Sequence, residues 1–339
     1  MSLVRPATLQ DVADLCGISR GTASRALTGG GRVSPETRAK VLAAAEQLNY
    51  STNSGARNLR RARAGSIGLW LPRGLRFMDY YMNFAFGVAE STQDRELTVS
   101  LVPDGFPAAR AQSLHVDGFV MADVDSHDEL ARAILATGRP VVVSEPVPPG
   151  MPHPTAVVAA DHATATRRLL ERLRAGGATC VTVLTPDVDQ TWVRAVDRAA
   201  AEWSDGSAAE VIFSRLAGIP SATELQRVVT DLLAAHPRVD AVVCVAEGLG
   251  VGVLSTLREL GRAVPDDIQV VSYVDSPTLP IVQPPISALD LRPREAGRRA
   301  GEILISLIEE GGAAASVPPR VELFDLIYRE RQSTRPSPE

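Results

Sequence analysis

Apolar residues recur at helical spacing over the first fifty positions and then, from Ser66 onward, gather into short runs separated by amphipathic stretches. Leu9, Val12, Ala13 and Cys16 form an i, i+3, i+4, i+7 stripe, which predicts a short helix. Thr8 stands at its N-cap, with Asp11 three residues on as the reciprocal partner of a capping box. Gly17 ends that helix, Ile18 staples the turn, and Ser19 caps a second helix over roughly residues 20–27. At about 100° per residue, Thr22, Ala23, Ala26 and Leu27 share one arc of this helix, and Arg20, Gly21, Ser24 and Arg25 share the other. After a turn at Gly29-Gly30-Gly31, Ser34-Pro35 opens a third helix with Val41, Leu42, Ala45 and Leu48 as its core stripe. Two short helices across a glycine turn, closed by a third, predict an all-α helix-turn-helix headpiece.

Beyond residue 65 the period changes. Ser66-Ile67-Gly68-Leu69-Trp70-Leu71-Pro72 begins a series of apolar strands, with others predicted near 97–102, 118–122, 140–144, 155–159, 179–184, 209–213, 240–246 and 268–273. Helical patterns lie between most of them, among them 163–174, 222–235 and 249–260. Strands alternating with helices predict parallel sheets in an α/β body. A length of 339 residues fits two or three compact units.

Charge sharpens this division. The chain carries a net charge of -5, yet residues 1–63 hold ten basic residues against four acids, a net of +6, which leaves -11 for the remainder. A small basic module on an acidic body points to a polyanion partner at one end only. The exposed arc of the second helix suits such a partner: Arg forks onto guanine O6 and N7, and a bare Gly lets the backbone come close in a major groove. No apolar run reaches the roughly 18 residues of a membrane span, and no secretory leader pattern is seen. Cys16, Cys180 and Cys244 have neither disulfide nor metal-ligand spacing, so a reducing cytoplasm and no metal or cofactor are expected.

Catalytic look-alikes fail on spacing. Gly248-Leu249-Gly250-Val251-Gly252 follows a strand, but Val253 stands where the third glycine of a dinucleotide loop belongs. Ser66 within Ala64-Gly65-Ser66-Ile67-Gly68 precedes a strand instead of ending one, unlike a nucleophile elbow. The expectation is a protein that is not an enzyme.

The segments A-T-L-Q-D-V-A (7–13), G-I-S-R-G-T-A-S-R-A-L (17–27), V-S-P-E-T-R (33–38) and L-N-Y (48–50) resemble the LacI family headpiece in order and spacing. Looser similarity continues through V-D-G-F-V (116–120), R-P-V-V-V (139–143), D-H-A-T-A (161–165), L-G-R-A-V-P-D-D-I (260–268) and I-Y-R-E (327–330). The resemblance implies a headpiece over 1–51, a hinge over 52–64 and a periplasmic-binding-protein-like body over 65–339. In that body two parallel-sheet subdomains would face each other across a cleft, about 65–160 with 287–317 and 161–286 with 318–339. The stretch between Val102 and Val116 is shorter than usual for the family, which implies a truncated helix there.

The same resemblance assigns roles. Arg20 and Gly21 would set operator choice, Arg25 would contact a base or the backbone, Thr22 and Ser24 would lie near phosphates, and Thr8 and Ser19 are further DNA-binding candidates. Asn53, Arg57 and Leu59 match the family hinge, a segment that folds on the operator, with Leu59 as a minor-groove wedge and Arg57 on a phosphate. Thr52 in place of the usual proline and the helix-weakening Gly55 depart from that pattern. For the cleft, Asp161, Arg194, Tyr80, Tyr81, Trp192, Glu247 and Asp275 are the effector candidates. Glu247 replaces the usual aspartate, and Val274 replaces an acidic ligand. The implied partners are a palindromic double-stranded operator, a small-molecule effector such as a sugar, and a second copy of the chain. A tail without leucine heptads favours a dimer over a tetramer. Two alternatives stay open: a DNA-binding regulator with an altered or lost inducer response, and a periplasmic-type ligand-binding protein.

Overall fold

A computed structural model describes residues 5, 7–28, 31–50, 63–72, 78–95, 97–103, 105–218, 220–311 and 319–336. The chain divides into two units, Met1–Ala64 and Gly65–Glu339.

The first unit contains α1 (Leu9–Cys16), α2 (Arg20–Thr28) and α3 (Pro35–Gln47). Both halves of the predicted capping box form: the Asp11 amide donates to Thr8 Oγ1 at 3.3 Å and the Thr8 amide to Asp11 Oδ2 at 2.7 Å. Those bonds from Thr8 hold the Asp11 carboxyl below its ordinary range. Gly17 closes the helix at a φ of 65°, a left-handed conformation that glycine adopts without a Cβ penalty. Ser34 caps α3 by accepting from the Thr37 amide at 3.1 Å, with Pro35 in the first turn. Val12, Cys16, Ala26, Val41, Ala44 and Ala45 make the core. Leu42, predicted to belong to the core stripe, is 52% exposed. The buried line runs 41, 44, 45 and 48, and position 42 lies one 100° step off it.

The second unit is built on two six-stranded sheets. The first contains β1 (Ser66–Trp70), β2 (Thr98–Leu101), β3 (Phe119–Ala122), β4 (Val141–Ser144), β5 (Ala156–Ala160) and β11 (Arg320–Phe324), in the order β11-β5-β4-β3-β1-β2. The second contains β6 (Cys180–Pro186), β7 (Glu210–Leu216), β8 (Ala241–Cys244), β9 (Gln269–Ser272), β10 (Ser287–Asp290) and β12 (Ile327–Arg329), in the order β12-β10-β9-β8-β6-β7. All neighbours are parallel except β10 and β12. The helices between them are α4 (Asp79–Glu90), α5 (Glu129–Leu135), α6 (His162–Ala175), α7 (Thr191–Gly206), α8 (Ala222–Ala235), α9 (Leu249–Glu259) and α10 (Pro293–Glu309). Among the described residues between Val102 and Val116 the only helical element is a six-residue 3-10 turn, Ala108–Ser113. No described helix is long and apolar enough to cross a membrane.

The predicted subdomain division needs correction at the C-terminal end. Residues 287–290 form β10 in the second sheet, not the first, and 320–324 form β11 in the first sheet, not the second. The chain crosses between sheets after β5, after β10 and after β11. Packing explains the first: Ala288 and Leu289 are buried in the second sheet's clusters. An ion pair secures the other, because Arg299 of α10 grips Glu322 of β11 through two bonds of 2.6 and 2.9 Å. Helices α4 and α10 meet closely enough that a Cβ on Gly87 would lie 1.9 Å from the Arg294 carbonyl oxygen, and one on Gly297 2.1 Å from that of Phe84. This contact fixes α4, whose first turn borders the cavity described next.

Candidate DNA-reading face and ligand cavity

On α2 the sorting predicted from helical geometry is present. Ala23 and Ala26 are buried, Arg20, Gly21 and Arg25 are exposed, and Thr22, Ser24 and Leu27 are half-buried. Ser19 caps the helix, accepting from the Thr22 amide at 3.1 Å, and its hydroxyl lies 2.9 Å from that of Thr22. Space around Gly21 is open, the nearest atom to a built Cβ being Ser19 Oγ at 3.9 Å. Thr8 uses its hydroxyl within the capping box. The hinge candidates Asn53, Arg57 and Leu59 lie outside the described residues.

A cavity of about 320 Å³ opens between the two sheets of the second unit. Most of its wall comes from turns at the carboxyl ends of parallel strands, where helix starts and irregular backbone converge. Asp123 follows β3, Glu145 follows β4, His162 begins the helix after β5, Gln190 precedes α7, Glu247 follows β8 and Val274 follows β9. Asp123 and Glu145 have φ values of 46° and 70°, left-handed conformations that are costly for residues with a Cβ. Such strain is typically retained where a side chain must point to a ligand.

The cavity's lining concentrates buried charge. Asp123 is 5% exposed and accepts from Tyr81 Oη at 2.6 Å. Burial is the main cause that raises its carboxyl to about 7; the Tyr81 bond opposes the rise and the nearby charge of Glu145 adds to it. Glu145, 6% exposed, accepts through Oε1 from the Ala160 amide at 2.9 Å, and His162 Nε2 lies 3.2 Å from the same oxygen. His162 Nδ1 is 3.1 Å from Tyr273 Oη. Burial raises the phenols of Tyr80 and Tyr81 well above their usual range, with Asp123 adding to it. Gln190 donates to the Asp123 carbonyl at 3.0 Å and accepts from Trp192 Nε1 at 2.8 Å. Glu247 spans the cleft and caps α4, accepting from the Asp79 and Tyr80 amides at 2.9 and 3.1 Å. Burial pushes the Glu247 carboxyl up, and those two bonds oppose it.

Of the predicted effector residues the cavity contains Tyr80, Tyr81, Trp192 and Glu247, and not Asp161, Arg194 or Asp275. Asp161 is the N-cap of α6, where its bond from the Thr164 amide at 3.0 Å keeps its carboxyl low, and it borders a separate groove of about 220 Å³. Arg194 is paired with Asp189. Asp275 is held by both terminal nitrogens of Arg331 at 2.9 and 2.8 Å. Asp123, Glu145, His162 and Gln190 were missed by sequence reasoning. One signal was present, an acid placed directly after an apolar strand in F-V-M-A-D (119–123) and V-V-V-S-E (141–145).

Known proteins bear on both parts. Residues 8–53 match the family model for bacterial regulatory proteins of the lacI family, and residues 170–334 match the periplasmic binding protein-like domain. The HTH-type transcriptional regulator CelR of Thermobifida fusca is 28% identical over 90% of this chain and 92% of its own length. The ribose operon repressor of Bacillus subtilis strain 168 is 27% identical over the same shares. Among solved structures, the lac repressor dimer bound to operator and the anti-inducer ONPF has a TM-score of 0.79 at 21% identity, covering 97% of this chain and 99% of that one, a likeness of fold.

A basic helix-turn-helix unit joined to a two-lobed α/β body with a cavity between its sheets defines a DNA-binding transcriptional regulator, not an enzyme. The chain's first unit carries the lacI-family regulatory domain and its second a periplasmic binding protein-like domain, the pairing found in the bacterial regulators it is similar to.

Proposed function

We propose that this protein is a cytoplasmic repressor that binds a palindromic operator as a homodimer and releases or grips it according to a small molecule held in the cavity. The observation that carries the DNA-reading part is the exposed face of α2, where Arg20, Gly21 and Arg25 stand opposite the buried Ala23 and Ala26. In this reading Arg20 and Gly21 meet base edges. Thr8, Ser19, Thr22, Ser24 and Arg25 fix the helix on the groove, and Asn53, Arg57 and Leu59 act at the hinge. Exposed Met82 and Phe86 on α4 and Leu101 on the edge strand β2 supply apolar surface suited to a second copy.

The effector of this reading is a sugar or a related metabolite. One solved relative is a CelR–cellobiose complex, and another relative is named for the ribose operon. Tyr80, Tyr81 and Trp192 offer rings to stack on, and Asp123, Glu145 and Glu247 offer acceptors for hydroxyls. A second reading, a regulator with an altered inducer response, draws support from Val274 in the wall and from Asp275 committed to Arg331. Selection of duplexes from a random pool by the full-length protein tests the main reading. A salt-sensitive palindromic motif is the expected result; recovery of no motif, with or without metabolite extract, would refute it.

A further inference from the structure

Among the described residues the cavity's charges are unbalanced. Three carboxylates line it, those of Asp123, Glu145 and Glu247, and among the described residues no lysine or arginine does. The guanidinium expected there from the sequence, Arg194, is paired with Asp189 away from the wall. Glu247 is served by the amides of α4. Asp123 and Glu145 are each more than nine-tenths buried and are only half served. Asp123 Oδ2 accepts from Tyr81, and Glu145 Oε1 takes the Ala160 amide and faces His162, while no hydrogen bond from a described residue reaches Asp123 Oδ1 or Glu145 Oε2.

A carboxylate largely removed from water is costly until donors and counter-charge meet it, and a single imidazole faces the pair. A neutral polyol supplies donors and leaves the charge in place. An ammonium group supplies three donors and cancels charge at once. Rings of Tyr80, Tyr81 and Trp192 complete walls on which a cation is also favoured. Anionic ligands meet the opposite conditions.

We propose that the effector carries a protonated amine, as in an amino sugar or aminocyclitol, bound by the carboxylates of Asp123 and Glu145. This rests on the reading of the cavity as the effector site. The raised Asp123 carboxyl agrees with it: without a cation that group takes up a proton near neutral pH, and an ammonium restores the ionised form.

The test titrates full-length protein by calorimetry with matched probes: glucosamine, galactosamine, mannosamine and streptamine against the corresponding hexoses and inositol, N-acetylglucosamine, and hexose phosphates. The expected result is at least one amine that binds about tenfold tighter or more than its hydroxyl and N-acetyl counterparts. That preference should be lost in Asp123→Asn and in Glu145→Gln, with folding checked by circular dichroism. Tightest binding by a neutral hexose or inositol, or by a phosphate ester, overturns the amine and leaves the effector reading standing. Binding by no member of the set removes both. The comparison on the unaltered protein decides the matter even where a variant does not fold.

Discussion

The two binding regions of this protein are encoded in opposite ways. The reading face lies on one nine-residue helix, convex and exposed, and its three exposed positions, Arg20, Gly21 and Arg25, fall within six consecutive residues. The cavity is concave and buried, and its wall draws on residues from Met78 to Leu291 in both sheets. A convex helical face needs only local periodicity and a cap to exist. A cavity exists only after two sheets have formed and three chain crossings have been placed. Exposed charge on α2 costs little to maintain, whereas Asp123 and Glu145 are maintained by packing against the desolvation they suffer.

Gly87→Ala should have the largest effect, about 3 kcal/mol of destabilisation or more, because the new Cβ meets a backbone oxygen at 1.9 Å that cannot move aside. All three tryptophans, Trp70, Trp192 and Trp203, belong to the second unit, so the urea midpoint of tryptophan fluorescence reads the body alone. An unchanged midpoint would mean that the α4–α10 contact is not as close as described.

Arg20→Ala should come next, costing about 1–3 kcal/mol of preference at one position of each half-site while leaving the body's midpoint unchanged. Base-by-base competition with the selected duplex measures it, and an unaltered preference would remove Arg20 from the readout.

Asp123→Asn should stabilise the body by about 1–2 kcal/mol above pH 7. The folded carboxyl sits at about 7 against 3.8 for the ordinary group, so protonation favours the folded state. The native protein therefore loses stability as pH rises from about 4 to 7 and then levels off, while the Asn variant does not. The gain should shrink as pH falls through 7 and vanish near 4. A gain independent of pH would contradict the buried, raised carboxyl. Glu247→Gln should have the smallest effect, about 1 kcal/mol, since it weakens a charged cap on α4 and keeps an acceptor. Thermal melting of the body checks it.

The same contrast explains what could be read in advance. The three headpiece helices, their caps at Thr8, Ser19 and Ser34, and the exposed arc of α2 follow from spacing within a few residues of one another. Leu42 was misplaced because one step of rotation separates it from Val41, and a short helix gives few positions to fix its phase. Strands β1 to β9 were legible as apolar runs. Those of four or five residues at the end of the chain, β10 and β11, were assigned to the wrong sheets because nothing local tells a strand which sheet it will join. In the cavity the same limit separates Trp192 and Tyr81, which reach the wall, from Asp161, Arg194 and Asp275, which found partners at Thr164, Asp189 and Arg331. A carboxylate's usefulness to a ligand depends on whether the fold leaves it unpaired, and that is decided by residues far away in the chain.

The central claim, that the concave region governs the convex one, is tested most directly by linkage. The affinity of full-length protein for the selected duplex is measured without ligand and with saturating amounts of the probe that binds most tightly, and the probe's affinity is then measured with and without duplex. The account predicts a change of about 5- to 150-fold in duplex affinity, matched by the same factor in probe affinity. Equal duplex affinities with and without the probe would contradict it.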